Sequence, residues 1–262
     1  MISQPTPSGG TRATESPVGG PSAHDVPSSN GAASPVAVRT EGVGRRFGRL
    51  WAVKGADLTL EWGEIVGLLG PNGSGKTTLL RILAGVLTPS AGRAWVDGID
   101  VTGPDRDRIR ERVGIVSGDA YLYGDLTAAE NMRLALAMQG RPSGREVALA
   151  SLEQVGLARA MDRRVRDYST GMRKRLALAR AIAAEPPVLL LDEPYSGLDE
   201  HGVRFVHAVV ERWRTSGKAL LMATHHDVHA AERCDRCVVL GTKSIMSHPR
   251  MTAVPALAEV PT

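Results

Sequence analysis

The feature that most constrains this chain is a glycine-rich loop between an apolar segment and a helical pattern. Residues 65–69 are apolar or glycine, and apolar side chains recur at helical spacing over residues 79–84. Between these segments lie Gly70, Pro71, Asn72, Gly73, Ser74, Gly75, Lys76, Thr77 and Thr78. Glycines permit backbone conformations closed to other residues, so successive N–H groups can point inward at a phosphate chain. The sequence therefore predicts a strand, a phosphate-binding loop and a helix whose positive dipole end faces the phosphates.

Two side chains of this loop carry chemical roles in the interpretation. Lys76 is assigned to the β- and γ-phosphates of a nucleoside triphosphate, and the Thr77 hydroxyl to Mg²⁺. The alternative is a glycine-rich turn that contains Lys-Thr by chance. The flanking strand and helix disfavour that alternative, so the loop predicts a nucleotide site.

Composition narrows the remaining classes of protein. With 262 residues and 42% apolar content, the chain can bury one sizeable core without disulfides or metal. The net charge of +4 comes mostly from arginines that are scattered along the chain, so no nucleic acid partner is expected. The apolar runs fall short of the ~20 residues that span a bilayer. Cys234 and Cys237 are interpreted as packing cysteines in a reducing cytosol, with redox function as the alternative.

Patterning divides the chain into a tail, a core domain and a second tail. Residues 1–35 are rich in Pro, Ser and Gly and are expected to be disordered. The domain is expected over residues 36–246, with a helical part at about 117–184 and a short tail at 247–262. Strands are predicted at 36–39, 53–60, 65–69, 94–96, 113–116, 188–191, 219–223 and 237–240. Helices are predicted at 106–112, 128–138, 145–155, 169–184, 203–214 and 227–233. Their alternation indicates a doubly wound α/β core.

Two adjacent acids follow an apolar strand in the second half of the chain. Asp192 and Glu193 come directly after the run of residues 188–191, at the strand end where such sheets bind ligands. Asp192 is assigned to Mg²⁺, and Glu193 to polarising the water that attacks the γ-phosphate. A solvated Asp-Glu turn is the alternative.

A third segment makes a family visible. Tyr168, Ser169, Thr170, Gly171 and Met172, followed by the helical residues 173–181, resemble the signature motif of ATP-binding cassette (ABC) proteins. The resemblance extends to residues 196–199, which are similar to the family's D-loop, and to residues 223–225, which are similar to its switch-histidine strand. It covers about residues 36–240.

The resemblance implies an architecture and a set of partners. The fold it implies is a P-loop NTPase (RecA-like) α/β core with a mostly parallel sheet, an N-terminal antiparallel β subdomain and an inserted α-helical subdomain. Two cassettes of this family bind ATP head to tail, so Ser169 and Gly171 would contact ATP held by the partner's loop. Phe47 would stack on adenine, and His225 would contact the γ-phosphate. An integral-membrane permease and a peripheral place on the cytoplasmic side of the plasma membrane are also implied.

One family position departs from the pattern. Where the family carries a glutamine that contacts Mg²⁺, after the strand at 113–116, this chain has Ser117-Gly118-Asp119. Either Ser117 or Asp119 replaces it through an oxygen, or hydrolysis is slow. Heme exporters of cytochrome c maturation are similar in lacking this glutamine and in carrying an aromatic residue at the position of Tyr195. The favoured function is an ATP-hydrolysing exporter subunit, because the sequence indicates a single cassette with no membrane span and no appended domain. The missing glutamine and the aromatic residue make heme a candidate cargo.

Other interpretations remain open at this stage. A general drug or lipid exporter is the first alternative, and a soluble ABC-type ATPase or a weakly hydrolysing regulator is the second. Arg173, Lys174 and Arg175 are interpreted as a solvated helix face, or as a cluster that gathers phosphate or partner acids.

Overall fold

The computed structural model describes residues 35–117, 122–225, 232–241 and 245–248. These residues form a four-stranded sheet and a six-stranded sheet with helices around them. The strands are β1 Val36–Phe47, β2 Leu50–Glu61, β3 Ile65–Leu69, β4 Ala91–Val96, β5 Ile99–Asp100, β6 Val113–Val116, β7 Val188–Asp192, β8 Ala219–Thr224, β9 Arg236–Leu240 and β10 Ile245–His248. The α-helices are α1 Lys76–Leu83, α2 Ile109–Arg112, α3 Ala128–Met138, α4 Arg145–Gln154, α5 Thr170–Ala183 and α6 Glu200–Thr215.

The smaller sheet is antiparallel, with the strand order β2-β1-β4-β5. Its first two strands are much longer than the predicted segments 36–39 and 53–60, and the pairing of β1 with β2 contains several bulges. Antiparallel sheets expose one face, and here that face carries charged residues such as Arg39 and Glu41. The bulges break the alternation of apolar and polar residues, so the pattern concealed the strand ends.

The larger sheet has the order β10-β9-β3-β8-β7-β6, and β3, β6, β7, β8 and β9 pair in parallel. Every residue of β7 and β8 is buried, as expected for strands covered on both faces. The predicted α/β core with an antiparallel β subdomain is thus confirmed. Strands β5 and β10 were not predicted, and β10 continues beyond residue 246.

Helix boundaries differ from the sequence prediction for local reasons. Helix α6 begins at Glu200 and not at 203, because the Asp199 side chain accepts a hydrogen bond from the Gly202 N–H and caps it. Residues 106–108 form a 3-10 turn before α2. The helix predicted at 227–233 lies largely outside the described residues.

Alternate side chains of the parallel strands fill two hydrophobic clusters. Leu68 and Leu190 face the cluster that α1 and the antiparallel sheet share, whereas Leu189 and Leu220 face α5 and α6. This period of two follows from strand geometry. The phosphate-loop helix α1 therefore lies between the two sheets, which fixes the site at the carboxyl ends of the parallel strands.

Helices α3, α4 and α5 surround a third cluster that includes Met132, Leu152 and Leu176. Helix α3 begins with a capping box, in which Thr127 and Glu130 satisfy each other's backbone N–H groups. Among the helices that the structure describes, none combines the length and apolar character required to cross a membrane.

The two cysteines lie against strand β3. A Cβ atom built on Gly67 would lie 2.9 Å from Cys237 Sγ and 3.1 Å from Cys234 Sγ, so only glycine leaves room for both sulfur atoms. A hydrogen bond with Cys237, together with burial, raises the pKa of the Cys234 thiol. Both cysteines pack as free thiols beside the strand that leads into the phosphate loop.

Candidate functional site

The phosphate loop connects β3 to α1, and tertiary contacts hold it in shape. Gly73 has φ +82° and Gly75 has φ +98°, which are conformations that favour glycine. A Cβ atom on Gly75 would lie 2.1 Å from the Ala52 carbonyl oxygen, so the loop packs directly on β2. No side chain caps the N-terminus of α1, which leaves its first N–H groups available to an anion.

A cavity of about 520 Å³ lies over this loop. It brings together the loop and the two acids at the end of β7, which are more than a hundred residues apart in sequence. Its lining residues are Ala52, Asn72, Gly73, Gly75, Lys76, Thr77, Thr78, Arg81, Lys174, Asp192 and Glu193. Gly70, Pro71 and Ser74 complete the loop beneath it. The predicted phosphate loop and acidic pair thus belong to one site.

The Lys76 ammonium is folded onto the loop itself. Its Nζ atom donates hydrogen bonds to the carbonyl oxygens of Gly70 (2.7 Å) and Pro71 (3.2 Å), and it lies 4.0 Å from Glu193 Oε1. Burial lowers the pKa of Lys76, and the charges of Glu193 and Asp192 oppose that shift. The ammonium is therefore already positioned at the loop, beside the space that a triphosphate would occupy.

Thr77 and Asp192 form a pair of oxygen donors. The Thr77 hydroxyl donates a hydrogen bond of 2.6 Å to Asp192 Oδ2. Burial raises the pKa of the Asp192 carboxyl, the Thr77 hydrogen bond opposes this, and the neighbouring charge of Glu193 raises the pKa further. A hydroxyl and a partly buried carboxylate suit a hard divalent cation such as Mg²⁺, whose charge would relieve that unfavourable burial.

Glu193 lies in a turn with a strained backbone. Its φ of +50° is unusual for a residue with a side chain, and its N–H donates to the Ala223 carbonyl at 2.8 Å. Its Oε1 atom lies 2.8 Å from His225 Nδ1, and its Oε2 atom accepts a hydrogen bond of 3.3 Å from Thr224. The end of β8 therefore fixes the direction of the carboxylate, which suits a base that must meet a water at one position.

Ser117 is one of the two residues that the sequence predicts to replace the family's glutamine. It is 3% exposed, and its Oγ atom has no hydrogen-bond partner among the described residues. It faces a small cavity of about 20 Å³ that Lys174, Asp192 and Glu193 also line. A hydroxyl is thus available at this point, whereas Asp119, the other predicted replacement, lies outside the described residues.

Four predicted nucleotide contacts outside the loop do not line the main cavity: Phe47, Ser169, Gly171 and His225, whose ring lies against Glu193. Phe47 ends β1 and is half exposed, with the Arg45 guanidinium 4.9 Å from its ring centroid. Ser169 and Gly171 lie at the start of α5, where the Ser169 hydroxyl caps the helix by accepting from the Met172 N–H. Their assigned contact is with a nucleotide held by a second cassette, so they remain predictions.

The sequence interpretation left one part of the cavity wall open between two alternatives and missed another part. Arg173 is exposed, but Lys174 is half buried and lines the cavity, so the solvated-face interpretation does not hold for Lys174. In the sequence, the one feature that indicated a role for Lys174 was its basic side chain three positions after Gly171. Ala52 and Arg81 also line the cavity and carried no recognisable signal.

A glycine loop with lysine and threonine, opposite an acidic pair at the end of a parallel strand, defines a P-loop nucleoside triphosphatase. The profile of the ABC transporter family matches residues 53–196. The chain belongs to the ABC transporter family, and it binds and hydrolyses ATP. The family assignment and the hydrolase prediction made from the sequence are therefore confirmed.

Relatives and solved structures agree with this assignment. Nod factor export ATP-binding protein I of Rhizobium johnstonii is 39% identical over 219 residues, covering 81% of this chain and 69% of that protein. The daunorubicin/doxorubicin resistance ATP-binding protein of Streptomyces peucetius is 37% identical over 210 residues, which cover 78% of this chain and 62% of that protein. A dimeric, post-hydrolysis ATP-binding cassette bound to ADP and Pi is 28% identical with a TM-score of 0.74, covering 82% of this chain and all of that chain.

Proposed function

We propose that this chain is the ATPase subunit of an ABC exporter. Two cassettes would pair around ATP and dock on an integral-membrane permease at the cytoplasmic side of the plasma membrane. The hydrolytic part of this proposal depends on one observation: His225 holds the Glu193 carboxylate in a fixed direction, beside the oxygen donors Thr77 and Asp192. Export is supported by relatives whose names specify Nod factor export and drug resistance.

In the proposed reaction each residue of the site has one task. Lys76 would exchange the loop carbonyls for the β- and γ-phosphates, whose negative charge the N-terminus of α1 would attract. Thr77 and Asp192 would hold Mg²⁺, which neutralises phosphate charge when bound. Glu193 accepts the proton of the attacking water, while His225 keeps the carboxylate in place. Loss of the γ-phosphate would then let the paired cassettes separate.

For the cargo we propose a drug- or lipid-type molecule in preference to heme. The heme interpretation depended on Tyr195 and on the missing glutamine. Tyr195 is 5% exposed and packs edge-on against His207, with ring centroids 5.5 Å apart. This packing accounts for an aromatic residue at that position without reference to any cargo, whereas the named relatives favour the other exporter type.

The test is co-expression and reconstitution with candidate permeases, which are multi-span membrane proteins chosen first from the neighbouring genes. Proteoliposomes that contain both proteins should accumulate daunorubicin when ATP is supplied outside, and the Lys76→Ala variant should give no accumulation. Heme transport in the same vesicles with no daunorubicin transport would restore the heme assignment. Failure of the chain to bind any permease when the two are co-expressed would overturn the exporter proposal itself.

A further inference from the structure

Lys174 connects the signature helix to the catalytic turn within one chain. It lies in the second turn of α5, and its Nζ atom donates to the Glu193 carbonyl oxygen at 3.4 Å and, at close range, to that of Ser196. These two carbonyls bracket the turn between the catalytic acid and the D-loop. The ammonium thus links a helix of the α-helical cluster to the edge of the parallel sheet.

A second contact lies one turn earlier on the same helix. A Cβ atom built on Gly171 would lie 3.5 Å from the Gly197 carbonyl oxygen, so the start of α5 packs on the same turn. Any shift of the α5 N-terminus therefore meets the turn of residues 193–197 at two points.

The surroundings of Lys174 are those of a side chain held in place. Burial lowers the pKa of its ammonium, and the charges of Glu193 and Asp192 oppose that shift. It also borders the small cavity beside Ser117, whose volume of about 20 Å³ matches a single water. Arg173, its neighbour in sequence, instead points outward and donates to the Arg166 carbonyl at 3.2 Å.

We propose that Lys174 is a positioning residue that couples the two ATP sites of the cassette pair. When Ser169 and Gly171 engage the partner's ATP, α5 shifts, and Lys174 transmits this shift to the turn that carries Glu193. Each site then reaches its hydrolytic geometry only when the other holds ATP. This inference rests on the proposed pairing of cassettes, and it assigns the coupling to one side chain.

The experiment compares Lys174→Met, Lys174→Arg and the matched control Arg173→Met in the purified full chain. Phosphate release is followed against ATP concentration, and binding of a fluorescent ATP analogue is measured at protein concentrations that keep the chain monomeric. Lys174→Met should lower kcat at saturating ATP by about tenfold and reduce the Hill coefficient from about 2 to about 1, two readouts that do not depend on the affinity of the monomer. Lys174→Arg should recover part of the cooperativity, and Arg173→Met should behave as the wild type.

Two different failures can be told apart. If the wild type itself shows no cooperativity, the proposed pairing of two cassettes around ATP is refuted, and the proposed role of Lys174 is refuted with it. If the wild type is cooperative and Lys174→Met is equally so, only the role of Lys174 is overturned. A loss of monomer affinity with the Hill coefficient kept would instead make Lys174 a direct phosphate ligand. Thermal melting checks the fold, and Lys174→Gln, which keeps a polar donor, replaces the methionine variant if that one melts early.

Discussion

Replacing Glu193 with glutamine should separate ATP binding from ATP hydrolysis. The backbone N–H of Glu193 bonds to Ala223, and its carboxylate contacts Thr224 and His225. Glutamine has the same shape and can keep these contacts, so the turn should persist. What disappears is the negative charge, together with the ability to accept a proton from the attacking water.

The size of the effect follows from that lost role. General-base catalysis contributes about 10²–10⁴ in rate, which corresponds to about 3–5 kcal/mol of barrier at 1.36 kcal/mol for each tenfold. ATP affinity should stay the same or increase, because the carboxylate 4.0 Å from Lys76 competes with phosphate for that ammonium. The variant should therefore bind ATP and remain paired around it.

The assay is phosphate release at saturating ATP and Mg²⁺, with dimer formation followed by size-exclusion chromatography. Glu153→Gln is the control, since it removes an exposed carboxylate from α4. A Glu193→Gln rate within about threefold of wild type would refute the assignment of the base, because a lost general base costs at least ~10²-fold. The same result would favour the regulator interpretation, in which ATP is bound and rarely cleaved.

Two further predictions concern stability. Gly75→Ala should lower the free energy of unfolding, measured in urea, by roughly 2–4 kcal/mol, because φ at this residue is +98° and the Ala52 carbonyl oxygen lies where the new Cβ atom would be. The control is Gly144→Ala, at a position with open space around it, which should cost less than ~1 kcal/mol. Asp192→Asn should abolish Mg²⁺-dependent hydrolysis yet stabilise the nucleotide-free protein at pH 7. Burial raises the pKa of Asp192 in the folded state, so this carboxyl adds to the free energy of unfolding while it is protonated. That contribution is lost as the pH rises through the folded-state pKa. The stability gain should shrink in unfolding titrations at lower pH, and an equal gain at every pH would contradict this reasoning.

The sequence by itself determined the parts of the site that are encoded locally. The loop at residues 70–78, the strand before it and the helix after it are contiguous, and their glycines and apolar spacing predict each element directly. Strand β7 was equally clear, because a strand buried on both faces is apolar throughout. Asp192, which ends this strand, and Glu193, which follows it, were therefore placed at the correct edge of the sheet.

Only the tertiary structure decided which of these parts touch. Thr77 and Asp192 are 115 positions apart, and their 2.6 Å hydrogen bond depends on β3 and β7 being separated in the sheet by β8 alone. The sequence left Lys174 as either a solvated charge or part of a cluster that gathers phosphate, and the packing of α5, which turns its ammonium towards the Glu193 carbonyl oxygen, excludes the first alternative. Periodicity reports which face of an element is buried, but it carries no information on which distant element covers that face. For that physical reason the chemistry of this site could be predicted from the sequence, whereas the link between its signature helix and its catalytic turn could not.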